Sequence, residues 1–148
     1  MADPRLAVGY EGIGAVYATF LIDNSTITYS ATADGGAAST MLNKAVKLTA
    51  ADTVGLATAG SAVVGKLIKV ESDNMCTVQI AGAMTLPAGT GHASNNVLTL
   101  GGKIVGDVST AANGYIRGAT TNAWNADVIF ARGVVLDLGT TTAVEVYL

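Results

Sequence analysis

Charge is what this chain most conspicuously lacks. Asp, Glu, Lys and Arg make up 13% of its 148 residues, where a typical globular chain carries about a quarter. The net charge is −3 and the isoelectric point about 4.8. A nucleic-acid partner calls for a basic stripe with interleaved aromatics. Here the nearest basic pair, Lys66 and Lys69, runs straight into Glu71 and Asp73. Nucleic acid is therefore not an expected partner. Aromatics are equally sparse, at 5%, with Trp124 the single tryptophan.

Cysteine and histidine each occur once, as Cys76 and His92. One cysteine allows no disulfide within the chain, and one of each leaves no His/Cys set for zinc. Alternation in NMCTVQI puts Cys76 alongside Val78 and Ile80, so it is expected as a buried small hydrophobe. His92, in LPAGTGHASNN, has no carboxylate, second His or Cys nearby at ligand spacing and is expected to be an exposed loop residue. Long apolar runs are missing too. Gly12–Ile22 (GIGAVYATFLI) falls short of the roughly twenty residues that span a bilayer. Ala31-Thr32-Ala33 has the form of a cleavage site, but Asp3 and Glu11 dilute the positive region a signal peptide needs. Neither a membrane partner nor a signal peptide is expected.

The motifs of catalysis are also missing. No serine sits in a Gly-x-Ser-x-Gly elbow; Gly60-Ser61-Ala62 comes nearest and lacks the second glycine. Gly9, Gly12 and Gly14 are in the wrong order for a dinucleotide fingerprint, and no phosphate-loop lysine follows. Asp34-Gly35-Gly36 reads as a turn, and Asn24-Ser25-Thr26 as a chance glycosylation triplet. No fixed repeat or heptad appears, which excludes solenoids and coiled coils. The expectation is a protein that is not an enzyme, with no cofactor, no catalytic residue and no metal.

What is present is half apolar and rich in Ala, Gly, Thr, Ser and Asn, small groups that tolerate close contact with another protein. So little charge on the surface suggests that part of it is covered in the working state. Short strands alternate with turn signals. KAVKL at 44–48 alternates, and VVGKLIKVESDNMCTVQI reads as a hairpin. Gly82–Leu86 is stopped by Pro87. Val97–Leu100 and Lys103–Val105 flank Gly101-Gly102 as a second hairpin, and Asn113-Gly114 reads as a turn into Tyr115-Ile116-Arg117. The closing VIFARGVVLDLGTTTAVEVYL reads as a last hairpin completing a barrel, with Leu148 packed in it. One short helical turn is expected near Thr120–Asn125. This pattern predicts an all-β sandwich or small barrel with little helix. Two regions differ in texture. Residues 1–40 hold a β-prone stretch, Ala15–Tyr29, as a strand pair or an arm, then the linker-like ATADGGAAST. Residues 41–148 hold the barrel.

These residues resemble a family. AVKLTAADTVGLATAGSAVVGKLIKVESDNMCTVQIAG (45–82), AMTLPAGTG and ARGVVLDLGTTTAVEVYL together are similar to the small capsid decoration, or cement, proteins of tailed phages. The resemblance covers about residues 41–148. It implies a β-barrel or β-tulip-like domain that forms a homotrimer, binds the major capsid protein on the outer surface of the virion, and stabilises the shell. Production in the host cytoplasm follows from the same resemblance. Some such proteins use an N-terminal segment to pair with shell strands, a role open to Ala15–Tyr29. The interface candidates are Phe20, Ile22, Trp124, Phe130 and Tyr147, although Trp124 equally reads as a loop anchor. The competing reading is a carbohydrate- or receptor-binding β module, which would use Trp124 or Tyr115.

Overall fold

The computed structural model describes residues 12–90, 97–110, 112–119, 129–140 and 143–148. The fold is all-β. Strands β1 (Val16–Ile22), β2 (Ala45–Ala50), β3 (Thr53–Leu56), β4 (Gly65–Val70) and β5 (Met75–Ala81) close into a barrel in the order β1-β3-β2-β4-β5. Strands β6 (Ala83–Leu86), β9 (Val134–Thr140) and β10 (Ala143–Tyr147) form a sheet in the order β6-β10-β9. A ribbon pairs β7 (Ile104–Ser109) with β8 (Ala112–Gly118).

A ring of five strands cannot alternate direction all the way round, so at least one neighbouring pair must run parallel. Here it is β1 and β3, joined only through Leu21↔Thr53 and Ile22↔Val54. The other barrel pairs are antiparallel. The β4–β5 hairpin lies where the alternating sequence places it. Its inward residues Leu67, Val70, Cys76 and Val78 are buried with Val46, Val54 and Ile22. A second core, of Met84, Leu86, Ile104, Ile116, Val144 and Val146, fills the space among the remaining strands.

The last hairpin departs from expectation. It does not close the barrel; β10 pairs with β6 outside it. Gly82 is the reason. With φ at +93° it turns the chain out of β5 into β6, and a Cβ there would lie 2.6 Å from the backbone of Gly14 and Ala15. Its N–H and C=O are bound by Leu148, at 3.1 and 3.2 Å. The alternation of β10 does hold, with Val144 and Val146 buried and Leu148 packed on their core.

Two turn assignments also change. Asn113-Gly114 lies inside β8, where Gly114 allows close approach to Lys44, whose Cβ would be 2.7 Å from an added Cβ. The β7–β8 turn instead begins at Thr110, with φ at +46°. Val97–Leu100 is not a strand partner of β7. Gly101 and Gly102 instead exchange hydrogen bonds with Val135 of β9, while Leu98 is buried in the second core. The linker-like run at 31–40 is partly folded and anchored at Ala37. Asp34–Gly36 forms a 3-10 turn, Ser30 N–H donates to Gly36, and Ala37 is buried in the barrel core. The helical turn expected at Thr120–Asn125 lies outside the described residues.

Arg132 ties the two halves together. Its guanidinium donates to the carbonyls of Val63, Val64 and Ile80 at 3.1–3.3 Å. Its own backbone meanwhile bridges Ile104 of β7.

Gly82→Ala is expected to destabilise the protein by more than about 2 kcal/mol, since it adds a steric clash to left-handed strain. Gly101→Ala, at φ +74° with open space around it, should cost only about 1 kcal/mol. Urea unfolding of the two variants measures the difference; equal costs would contradict the role of Gly82 as the joint.

Candidate interaction surface

The described residues offer little for catalysis. No group of three His, Cys, Asp or Glu side chains among them could hold a metal. Burial pushes the Cys76 thiol up to about 11, only partly offset by a hydrogen bond from the Phe20 backbone. It is 1% exposed, as a packing role requires. His92 lies outside the described residues. No helix among them is long and apolar enough to cross a membrane.

One cleft carries charge. About 310 Å3 of space opens where the barrel meets β6 and β10, lined by Asn43, Lys44, Lys66, Thr85 and Pro87 among others. The Lys44 ammonium lies 3.8 Å from the centre of the Tyr115 ring, an arrangement that stabilises the cation electrostatically. Lys66 is buried. The described lining has no imidazole, thiol or carboxylate to serve as a base.

The larger feature is exposed apolar surface. Along β1, Tyr17, Thr19 and Leu21 face outward, while Ala18 and Phe20 are half-buried and Ile22 is buried. Of the interface candidates, Ile22 is therefore a core residue, 4% exposed, and Phe20 packs against the same core. Ala18, Phe20 and Ile22 point into the barrel, whereas Val16, before the register shift, is exposed. Tyr147, 46% exposed, and Phe130, 44% exposed, stand at the surface. The Tyr147 hydroxyl would lie 3.2 Å from a Cβ at Gly14, so the ring rests beside the turn that leads into β1. Trp124 lies outside the described residues. The candidates thus do not form one cluster: two belong to the barrel core and two to the surface near β9 and β10.

Sequence reasoning passed over Tyr17, Leu21, Leu100 and Val134, all exposed. Val134 sits directly opposite Tyr147 in the β9–β10 ladder, so both side chains stand on the same face. Leu100 precedes Gly101, which bonds to Val135. The missed signal was parity. In VYATFLI only the register with β5 shows which residues face outward.

The far end of β1 is held by Asp23. One carboxylate oxygen accepts the backbone N–H groups of Ser25, Thr26 and Ile27 at 3.0–3.1 Å. The other accepts the Thr26 hydroxyl at 2.6 Å. That hydroxyl in turn accepts the Leu56 N–H at 2.8 Å, anchoring the loop to β3. Burial disfavours the ionised form, but hydrogen bonds from the Thr26 side chain and the Ile27 and Ser25 backbone outweigh it and hold the carboxyl below its ordinary range.

Comparison with protein-family models, curated proteins and solved structures finds no match for this chain.

Because the folded-state carboxyl of Asp23 is depressed, its stabilisation is complete above the unfolded value of about 3.9. It is lost as the pH falls through the lower folded value. Asp23→Asn is expected to cost about 1–2 kcal/mol at neutral pH, with the gap to the parent protein closing below about pH 4. Thermal melts across pH check this; a gap that stays constant into acid would contradict it.

Proposed function

We propose that this chain is a non-enzymatic structural protein of a virion. In this reading it is a capsid decoration protein that binds the outer surface of a tailed-phage head as a trimer and stabilises the shell. One observation carries the reading: large apolar side chains on an all-β fold stand exposed to solvent. Leu100 is 65% exposed, with Phe130, Val134 and Tyr147 also open to solvent. Their burial against a shell protein would supply about 25 cal/mol per Å2. The resemblance of residues 41–148 to cement proteins points to the same partner, the major capsid protein.

The mechanism is mechanical. Three linked copies present three contacts, so each need be only moderate. Once one is made, the other two act at high effective concentration. Such a staple across neighbouring shell subunits resists outward pressure without making or breaking a covalent bond. The Arg132 bracket and the Gly82 joint serve this role by keeping the barrel and the second sheet from shearing.

Purified protein added to undecorated, expanded shells is expected to bind saturably and raise the temperature at which they disrupt. Exchanging Phe130 and Tyr147 for serine should weaken that binding by at least tenfold, about 1.4 kcal/mol, while leaving the free protein folded. Absence of binding, or binding that leaves shell stability unchanged, would contradict the proposal.

A further inference from the structure

Among the described residues, the seam that closes the barrel leaves β1 half paired. Ile22 N–H donates toward β5, to Asn74 at 3.0 Å, while Leu21 N–H donates the other way, to Asp52 at 2.8 Å. Alternation along a strand therefore turns the N–H and C=O of Tyr17 and Thr19 toward the β3 side. There β3 does not reach. Its pairing with β1 begins at Leu21↔Thr53, and Ala51-Asp52 is the turn of the β2–β3 hairpin. Among the described residues no strand lies beside Val16–Phe20 on that side.

An open edge normally carries a protective device: a lysine, a proline or an inward charge. Ala15–Ile22 contains no charge and no proline. Its flanks, Val16, Tyr17 and Leu21, are exposed apolar residues, with Ile13 and Tyr147 beside its start.

We propose that the outer edge of β1 pairs antiparallel with the same edge of a second copy of this chain, about a two-fold axis through Ala18. The edge is self-complementary in that register. Tyr17 of one copy meets Thr19 of the other, and each such pair exchanges two N–H···O=C bonds; the two-fold generates both pairs at once. Charge selects the same direction. Asp23 and Asp52 lie at the Leu21 end of the edge, and antiparallel pairing sets them against the uncharged Ile13–Val16 end of the other copy. A parallel arrangement would bring four carboxylates together. Edge pairing covers only part of the five exposed apolar side chains, which places the contact below the roughly 1,000 Å2 of a stable specific interface. A weak, concentration-dependent dimer is the expected product. The inference needs only this chain; the β1 contact is two-fold and therefore distinct from the three-fold contact of the shell proposal.

The test is sedimentation velocity of the full chain from about 10 µM to about 1 mM, with amide hydrogen exchange followed by NMR at both limits. A dimer should appear with concentration. Exchange at Tyr17 and Thr19 should slow with it, while Phe20 and Ile22, bonded to β5, stay protected throughout. Thr19→Pro removes an outward N–H without touching the β5 ladder, and Tyr17→Lys adds an edge charge. Each should weaken dimerisation at least tenfold, with an unchanged circular dichroism spectrum showing that the barrel is intact. A protein monomeric throughout overturns the proposal. So does a dimer indifferent to both substitutions, or one whose Tyr17 and Thr19 amides exchange at a constant rate. If the amides become protected only on undecorated shells, the edge belongs to the shell protein and self-pairing is likewise overturned.

Discussion

Five strands cannot alternate direction around a closed ring, and that parity constraint shapes this molecule. One seam has to be parallel, and a parallel ladder is the less stable kind. The chain keeps it to two residue pairs, Leu21↔Thr53 and Ile22↔Val54. It reinforces the seam from outside, through the Asp23–Thr26–Leu56 chain of hydrogen bonds. Among the described residues, confining the seam to the end of β1 leaves the first five residues of that strand paired with β5 alone. This one-sided pairing is thus a consequence of closing the barrel with an odd number of strands.

The second half of the chain depends on leaving that barrel cleanly. Gly82 sits where β5, β6, the turn at Gly12–Gly14 and Leu148 meet, and the crowding there excludes any side chain. Arg132 then spans the division from the other side. A guanidinium is suited to this because its several donors lie in one rigid plane, and here they reach three carbonyls on two separate barrel segments. Barrel and outer sheet are thus joined at both places, although each has its own core.

Much of this was legible in the sequence. The β4–β5 hairpin, the alternation of β10 and the burial of Cys76 follow from period-two patterning, because one face of each strand meets a core. Other features depended on packing that local composition does not carry. Gly114 was read as a turn residue, yet it serves to admit Lys44 beside β8. The true turn starts at Thr110, a β-branched residue at positive φ that no composition rule would choose. The run ATADGGAAST looks like a linker because it is small and polar, but small residues also fit tightly, and its Ala37 is buried in the barrel core. In VYATFLI the lack of clean alternation hid the inward face, so Phe20 and Ile22 were taken for surface residues and Tyr17 and Leu21 were passed over.

The central claim is that the exposed apolar surface is covered when the protein is at work. Oxidative footprinting of Phe130 and Tyr147, on the free protein and on protein bound to expanded shells, tests it most directly. Both rings are open in the isolated chain, so the account predicts that labelling of one or both drops severalfold on the shell. Labelling that stays at the free-protein level on bound protein would contradict it.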